Sequence, residues 1–276
     1  MDDVQVWVDG QLLDDPAAPV LRHDDHGLVV GDGVFESVEV TAGRPFALTR
    51  HLDRLQVSAS GLGLGGVDLD AVRAGVAATL GAAHLERGKL RITVTGGPGP
   101  LGSGRGDAPH TLVVAAEPIG PADGSAAIVT VPWPRNERGP LAGLKTTSYA
   151  DNVVALAEAR RHGASEAIFP NLAGHLCEGT GSNVFYVVDG ELRTPTLASG
   201  CLAGVTRALV LEWYGGREVD EPIEVAEGAD EVLIVSTTRA VQPVHRWGSR
   251  EWATPGPVTA EAQAAWRAHE PLDVDP

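Results

Sequence analysis

The sequence predicts a two-domain α+β protein of mixed α/β organisation. Segments that alternate apolar and polar residues, typical of strands, occur in both halves, and segments with apolar residues at helical spacing lie between them. A run rich in Gly and Pro, residues 119–125, separates two stretches that are each long enough for a domain. We therefore expect a smaller N-terminal domain over 1–118, a linker, and a larger C-terminal domain over 126–276.

The first half is predicted to combine five strands with two helices. Asp9-Gly10 follows an alternating run and supplies the turn into a return strand. Leu52, Leu55 and Leu62 recur at roughly helical spacing, which predicts a helix there. The predicted strands are Val4–Val8, Gln11–Leu13, Val34–Val40, Lys89–Thr95 and Thr111–Ala116, and the predicted helices are Arg50–Leu62 and Asp70–Leu80.

The second half mixes strands and helices in the same way, without an internal repeat. Tyr149–His162 is rich in alanine, the residue with the highest helix propensity, and a short apolar run bounded by turn signals follows it. The predicted strands are Ala127–Val131, Glu166–Pro170, Asn183–Val188 and Val232–Ser236, and the predicted helices are Tyr149–His162, Thr206–Tyr214 and Ala260–His269.

Composition argues against several classes of protein. The chain has 37 acidic and 21 basic residues and a formal net charge of −16, whereas non-specific nucleic-acid binding needs clustered Lys and Arg. No apolar run reaches the roughly 18 residues of a transmembrane helix, and Met1–Val4 lacks the features of a signal peptide. With two cysteines and no His-Glu-x-x-His pattern, we expect a cytoplasmic protein with no disulfide framework and no metal site.

Four short segments of the second half carry residue types that suit one kind of chemistry. Lys145, among small and apolar residues, is either a solvated residue before a helix or a desolvated amine that attacks aldehydes. Glu178 precedes a turn and is either a surface carboxylate or one directed into a cleft. Gly204–Arg207 and Ser236–Arg239 offer hydroxyls and backbone amides that either cap ordinary turns or hold a phosphate.

The functional alternatives for these four segments converge on one ligand. A lysine combines with an aldehyde, a carboxylate pairs with a basic ring nitrogen, and two hydroxyl-bearing turns bind a phosphate. Pyridoxal 5′-phosphate carries all three groups. Each segment alone is a weak signal, and Lys145 alone favours the structural role, so only their combination indicates this ligand.

Segments along nearly the whole chain, including the four described above, share the order and spacing of one known family. They are Gly31–Glu36, His51–Leu55, Lys145, Glu158–Gly163, Glu178–Phe185, Gly204–Arg207, Ser236–Thr237 and Gln242–Val244. Through them the chain resembles the class IV aminotransferases, the fold-type IV pyridoxal-phosphate enzymes. That family includes branched-chain aminotransferases, D-amino-acid aminotransferases and aminodeoxychorismate lyases. The resemblance implies an active site between the two domains and a homodimer.

The resemblance also implies a role for each cofactor-binding residue. Lys145 would form a Schiff base with the cofactor and carry a proton to and from the substrate α-carbon. Glu178 would pair with the pyridinium nitrogen and keep it protonated, so that the ring acts as an electron sink. Arg54, which alone would be taken for a helix-surface arginine, would bind the phosphate by a charge-assisted contact. The remaining cofactor contacts would come from Val205, Thr206 and Thr237 at the phosphate and from Leu202 on the ring face.

The substrate pocket decides which member of the family the chain is. D-amino-acid aminotransferases typically carry a Tyr where Phe35 stands and an Arg-x-His pair in the loop that here is Pro100–Arg105. Aminodeoxychorismate lyases carry a basic residue where Arg91 stands, and Arg91 is either a ligand for a substrate carboxylate or an outward-facing arginine on an edge strand. Branched-chain enzymes often have a Tyr where this chain has Ala150. The candidate substrate residues are Phe35, Arg91, Arg22, His26, Arg105 and Thr238.

Four hypotheses follow. The favoured one is a transaminase that moves an amino group from a D-amino acid or a related (R)-amine to a 2-oxo acid. The second is an aminodeoxychorismate lyase, which eliminates pyruvate to give 4-aminobenzoate, and the third is a branched-chain L-amino-acid aminotransferase. The fourth is a homologue that binds the cofactor but has lost catalysis, which an intact set of Lys145, Glu178 and Arg54 argues against.

Overall fold

The computed structural model describes residues 4–276, and Met1–Asp3, on which the comparison with signal peptides partly rests, lie outside the described residues. The helices are α1 (His26–Val29), α2 (Leu48–Leu62), α3 (Leu69–Ala82), α4 (Ala150–Arg161), α5 (Val205–Trp213), α6 (Ile223–Glu227) and α7 (Pro257–His269), with a short 3-10 helix at Leu197–Ser199. None of the helices within this range is long and apolar enough to cross a membrane.

Fifteen strands accompany these helices in the described part of the chain. They are β1 (Gln5–Val8), β2 (Gln11–Leu12), β3 (Gly33–Thr41), β4 (Arg44–Pro45), β5 (Arg87–Thr95), β6 (Thr111–Pro118), β7 (Ala126–Thr130), β8 (Glu166–Pro170), β9 (Leu176–Gly179), β10 (Asn183–Val188), β11 (Glu191–Thr194), β12 (Arg217–Glu218), β13 (Glu231–Ser236), β14 (Ala240–Trp247) and β15 (Arg250–Glu251).

The chain divides into two compact units whose membership does not follow chain order throughout. The first unit comprises the chain through Pro121 together with Leu144–Tyr149 and Val274–Pro276, and the second comprises Ala122–Gly143 and Ala150–Asp273. The change at Pro121 lies inside the stretch 119–125 that was predicted as a linker. The segment around Lys145, predicted to belong to the C-terminal domain, lies in the first unit because its backbone pairs with β3.

The first unit is built on a six-stranded antiparallel sheet in the order β2-β1-β6-β5-β3-β4. Successive side chains of a strand point to opposite faces. Val34 and Val38 of β3, with Ile92 of β5, pack into a buried core with Leu52 and Leu55 of α2. The residues that alternate with these along the two strands, among them Phe35 of β3 and Arg91 of β5, therefore belong to the opposite face of the sheet.

The second unit is built on a nine-stranded mixed sheet. Its strands follow the order β12-β11-β10-β13-β14-β7-β8-β9, and β15 pairs with β14. The pairs β11–β12, β14–β7 and β7–β8 are parallel, whereas the others are antiparallel. The parallel strands β7 and β8 are joined by a long crossover that contains the Lys145 segment and α4, because parallel neighbours cannot be joined by a tight turn.

The predicted mixture of strands and helices is confirmed, and every predicted element occurs with ends shifted by a few residues at most. The sequence did not predict β14, although it has eight residues and lies inside the sheet. Pro243 explains the omission, because a proline cannot donate to a ladder and argues against an internal strand. In the structure Pro243 pairs with Leu233, and a register shift follows between Val244 and Arg246.

Candidate active site

The segment that carries Lys145 is held against β3 by its backbone. The amide of Phe35 donates to the carbonyl of Lys145 over 3.1 Å, and the amide of Thr147 donates to the carbonyl of Gly33 over 2.8 Å. From α2, Ser58 Oγ accepts the amide of Lys145 over 3.1 Å. A Cβ on Gly33 would lie 3.0 Å from Thr147 Oγ1, so a glycine permits the close approach. The lysine backbone is thus fixed by two elements.

The ring of Phe35 is the centre of a cation–π cluster. Lys145 Nζ lies 4.5 Å from the ring centroid and Arg91 Cζ lies 3.8 Å from it. Tyr149 packs edge-on against the same ring, with 5.3 Å between the ring centroids and an interplanar angle of 83°. Because the face of an aromatic ring attracts cations, Phe35 is suited to contact both an amine and a guanidinium.

Arg91 is set apart from the other candidate arginines by its surroundings. Its side chain is accessible to solvent, but neighbouring protein desolvates the guanidinium enough to lower its pKa, an effect that Tyr149 partly opposes. Within residues 4–276 it forms no ion pair with a carboxylate. Strand β5 lies between β3 and β6, so the edge strand of the alternative is wrong, whereas its exposed, outward-facing side chain is what the structure has. A partly desolvated cation without a counter-charge is suited to bind an anion.

On the opposite face of β3, Glu36 forms a buried charge cluster with two residues of α2. Arg54 donates from Nε to Oε1 over 2.8 Å and from Nη2 to Oε2 over 2.7 Å, and His51 Nδ1 lies 2.7 Å from Oε2. Burial alone would raise the pKa of Glu36, but the charge of Arg54 and the hydrogen bonds from Arg54 and His51 lower it to about 2. Burial also lowers the pKa of His51. The bidentate contact fixes the orientation of the Arg54 guanidinium.

Arg105 fastens the glycine-rich loop that follows β5. Its Nε and Nη2 donate to the two carboxylate oxygens of Asp32 over 2.6 Å each, and its Nη1 and Nη2 donate to the carbonyls of Gly63 and Leu62 at the end of α2. The hydrogen bond between the two side chains lowers the pKa of Asp32 and raises the pKa of Arg105. The guanidinium of Arg105 is therefore engaged within the protein.

His26 and Arg22 are also engaged with protein groups. His26 is buried, and its Nε2 lies 3.0 Å from the carbonyl oxygen of Pro100. Arg22 is exposed and pairs with Asp24 at 2.8 Å. Of the four basic substrate candidates, Arg91 is thus the one whose charge is not matched by a carboxylate or carbonyl of the described chain.

In the second unit, Glu178 is fixed through both carboxylate oxygens. Oε2 accepts the amide of Leu202 over 2.9 Å, and Oε1 lies 3.2 Å from Arg135 Nε. The side chain of Glu178 is 14% exposed. Arg135 Cζ stacks 3.9 Å above the ring of Phe169, which is the residue opposite Glu178 in the β8–β9 ladder. The carboxylate is therefore mostly buried, and each of its oxygens has a partner in the protein.

Leu202 leads from this carboxylate to the start of α5. Its carbonyl accepts Asn183 Nδ2 over 2.9 Å, which fixes the approach to the helix. Gly204 occupies the N-cap position and has no side chain that could accept the amides of the first turn. Val205 begins the helix and Thr206 is buried beside it. An uncapped helix N-terminus with a hydroxyl is suited to bind a phosphate.

Thr237 and Thr238 lie in the turn between β13 and β14. The pair Ser236–Ala240 closes this hairpin, and the amide of Arg239 donates to the carbonyl of Ser236 over 3.1 Å. Helix α5 packs against β13, the strand that ends at this turn. The two hydroxyl-bearing segments of the second unit are therefore carried by elements in contact.

Sequence reasoning missed the partners of the predicted residues. Glu36 appeared as part of a motif, and neither it nor His51 was predicted to hold Arg54. Arg135 was not singled out, although it lies in a Trp-Pro-Arg segment shortly before Lys145. Its contact with Glu178 depends on the register of β8 and β9, which a single sequence does not specify.

Comparisons with known proteins agree over nearly the whole chain. Residues 33–247 match the family model described as amino-transferase class IV. A Methanocaldococcus jannaschii protein, whose name assigns it provisionally to the branched-chain-amino-acid aminotransferases, is 33% identical over 87% of this chain and 87% of its own. A Mycobacterium tuberculosis protein named bifunctional aminodeoxychorismate lyase / D-amino acid transaminase is 31% identical over 89% of this chain and 91% of its own. The crystal structure of the branched-chain aminotransferase of Thermoproteus uzoniensis with norvaline matches with a TM-score of 0.89 at 28% identity, covering 95% of this chain and 93% of that one.

Proposed function

The chain belongs to the class IV aminotransferases, which depend on pyridoxal 5′-phosphate, and on that premise we propose that it moves the amino group of a D-amino acid or a related (R)-amine to a 2-oxo acid. One observation carries the proposal: Lys145 and Arg91 contact the same ring, and Arg91 pairs with no carboxylate of residues 4–276. In an amino acid the carboxylate and the amino group are bound to the same carbon, so Arg91 is suited to bind the carboxylate while Lys145 acts at the α-carbon. The name of the M. tuberculosis relative, which includes D-amino acid transaminase, gives further support.

The residues of the chain fit the cofactor. When bound, pyridoxal phosphate supplies an aldehyde and an electron-withdrawing ring. Lys145 offers an amine whose backbone is fixed, and Glu178 offers a mostly buried carboxylate held by the amide of Leu202. The N-terminus of α5 offers backbone amides that its N-cap residue, Gly204, does not cap. These are the donor types that an aldehyde, a ring nitrogen and a phosphate require.

We assign the roles as follows. Lys145 binds the aldehyde carbon and moves the proton at the substrate α-carbon, which is general acid–base work. Glu178 accepts the N–H of the ring, and Arg91 binds the substrate carboxylate. Phe35 and Thr238 line the substrate pocket, and the phosphate and ring contacts come from Arg54, Val205, Thr206, Thr237 and Leu202.

A second candidate is 4-amino-4-deoxychorismate lyase, in which pyruvate is eliminated to give 4-aminobenzoate. The name of the M. tuberculosis relative includes this activity. Arg91 supports it as well, because the resemblance places a basic residue of the lyases at this position. In that reaction Arg91 would bind a carboxylate of the ring substrate.

A third candidate is a branched-chain L-amino-acid aminotransferase. The names of the M. jannaschii relative and of the T. uzoniensis structure support it. The stereochemistry of the donor separates it from the first candidate, since both transfer an amino group to a 2-oxo acid.

A panel of amino donors tests the proposal. The purified holoenzyme is given D-alanine, (R)-1-phenylethylamine or L-leucine with pyruvate or 2-oxoglutarate, beside a separate assay with aminodeoxychorismate. We expect turnover of the D-amino acid or the (R)-amine that exceeds turnover of L-leucine, and no turnover by Lys145→Ala. Preference for L-leucine would contradict the proposal in favour of the third candidate. Release of 4-aminobenzoate without donor turnover would contradict it in favour of the lyase, and absence of all four activities would favour a cofactor-binding homologue without catalysis.

The proposal includes a homodimer in the cytoplasm. Exposed apolar side chains support self-association, among them Leu28 and Val153, which are 62% and 64% exposed. Cys177 and Cys201 are buried free thiols, which agrees with a reducing compartment. Light scattering coupled to gel filtration measures the mass of the assembly, and a monomer at micromolar concentration would contradict the first part.

A further inference from the structure

The contact between Arg135 and Glu178 is an ion pair that lacks a hydrogen bond. Arg135 Nε lies 3.2 Å from Glu178 Oε1, but this nitrogen is buried and donates a hydrogen bond to no group of residues 4–276. The guanidinium is held instead by the ring of Phe169, 3.9 Å from Cζ to the ring centroid. A cation placed beside a carboxylate in this way acts on it through its charge.

The position of Arg135 is fixed independently of Glu178. The amide of Arg135 donates to the carbonyl of Pro170 over 2.8 Å, and Arg135 forms an isolated β-bridge with Asn171 at the end of β8. Phe169 directly precedes Pro170 in β8 and lies opposite Glu178 in the β8–β9 ladder. Strand β8 therefore positions both the guanidinium and the ring that supports it against the carboxylate.

The titratable groups beside Glu178 include two thiols. Burial raises the pKa of Cys177, and it raises the pKa of Cys201 to about 11, so both thiols are neutral at pH 7. The amide of Leu202 is a neutral donor to Oε2. Arg135 supplies a full positive charge to a carboxylate that is only 14% exposed.

We propose that Arg135 is a positioning residue for the cofactor ring, because it keeps Glu178 ionised and in place to accept the N–H of the pyridinium. The inference rests on the proposed function, in which Glu178 binds the ring nitrogen. A mostly buried carboxylate is pushed toward its neutral form unless a nearby cation opposes the effect of burial. A neutral carboxyl group would no longer stabilise the positive charge of the ring, so the grip on the cofactor would depend on pH.

The test measures cofactor affinity across pH rather than turnover. Apoenzyme prepared from the purified holoenzyme is titrated with pyridoxal phosphate between pH 5.5 and 8.5, and binding is followed by absorbance. We expect an affinity for the wild type that varies little over this range. For Arg135→Gln we expect binding about tenfold weaker at pH 6 than at pH 8, an effect between that of an exposed ion pair and that of a fully buried one. Arg135→Lys keeps the charge and should regain most of the wild-type profile.

Two further variants separate positioning from folding. Arg161→Gln removes an exposed ion pair with Glu158 in the same unit and should bind like the wild type. If Arg135 acts through Glu178, then Arg135→Gln adds nothing to the effect of Glu178→Gln in the double variant. Equal effects in both backgrounds, or an Arg135→Gln profile that matches the wild type, would overturn the inference. Failure of the wild type to bind the cofactor would instead overturn the proposed function.

Discussion

The two faces of β3 carry two clusters of charge that differ in how their cations are balanced. On one face, Glu36 accepts hydrogen bonds from Arg54 and His51 in a buried cluster with the pKa of the carboxyl lowered to about 2. On the other face, Lys145 and Arg91 contact the ring of Phe35, and Arg91 pairs with no carboxylate of residues 4–276. The adjacent residues Phe35 and Glu36 of β3 thus lie in two different electrostatic environments.

This difference in charge balance distinguishes residues that stabilise the fold from residues that are available to bind a ligand. A buried carboxylate matched by a bidentate arginine is complete within the protein, and removal of one member leaves an uncompensated charge. A guanidinium that rests on an aromatic ring is attracted weakly enough to exchange that contact for a carboxylate of a substrate. We therefore expect substitution of Glu36 to change mainly stability and substitutions on the Phe35 face to change mainly function. Arg54 belongs to both groups, because Glu36 orients the guanidinium that we propose for the phosphate.

The largest expected effect is on the Phe35 face and falls on function. Lys145→Ala should reduce turnover at least about a thousandfold, because general acid–base work contributes factors of that order. It should also abolish the covalent attachment of the cofactor, seen as loss of the yellow colour of the purified protein. Donor turnover and the absorbance spectrum measure these outcomes, and Lys89→Ala, in an exposed pair with Glu117, is the control. Colour and turnover retained in Lys145→Ala would contradict the role of the lysine.

The next effect is on the Glu36 face and falls on stability. Glu36→Gln should lower the free energy of unfolding by about 3 kcal/mol, since it leaves Arg54 without its buried counter-charge. Urea denaturation followed by circular dichroism measures the change. Glu39→Gln, in the same strand but in a more exposed pair with Arg87, should cost about 1 kcal/mol or less. Similar costs for the two variants would show that burial of the Glu36 cluster has no energetic consequence.

The free energy of unfolding should depend on pH because of two members of the Glu36 cluster, Glu36 and His51. Because the pKa of Glu36 is lowered in the folded protein, its contribution is fully present above the unfolded value of 4.5 and is lost as the pH falls toward about 2. His51 adds to the loss at higher pH, because a lowered histidine pKa means that the unfolded chain takes up its proton first as the pH falls below 6.5. The acid slope below pH 4.5 should be shallower in Glu36→Gln than in the wild type.

The smallest expected effect is on substrate affinity. Arg91→Met should raise the KM for a carboxylated donor about tenfold, the size of one charge-assisted hydrogen bond, with little change for a simple (R)-amine. The KM values of the two donors, measured in parallel, give the comparison. Lys89→Met changes the neighbouring cation on the same face of β5 and should leave both KM values unchanged. An equal rise for both donors in Arg91→Met would remove Arg91 from the carboxylate site.

Much of the fold followed from local pattern. The alternation in β3 and the helical spacing of Leu52 and Leu55 predicted elements that the structure contains, because burial on one face leaves a period in the sequence. Strand β14 was missed because Pro243 contradicts the usual rule, and only its neighbours in the sheet explain why it is accommodated.

The candidate site was predictable only as far as residue type and motif reached. Lys145 and Glu178 were singled out because their residue types, taken together with two hydroxyl-bearing turns, suit one ligand, and Arg91 was singled out through the resemblance to the family. The contacts of Glu36 with Arg54 and of Arg135 with Glu178 were not predicted, because each joins residues on different elements that are separated in the chain. Such contacts depend on strand register and helix docking, which long-range packing determines.

The insertion of the Lys145 segment into the first unit bears on how the protein is made. Thr147 donates a hydrogen bond to the carbonyl of Gly31 across 116 residues of sequence. A ribosome therefore synthesises the strands of the first unit's sheet, with Phe35, Arg54 and Arg91, before it synthesises Lys145. Until the chain has been synthesised beyond Tyr149, the nascent protein has the residues proposed to bind anions but lacks Lys145, the amine proposed to attack the aldehyde.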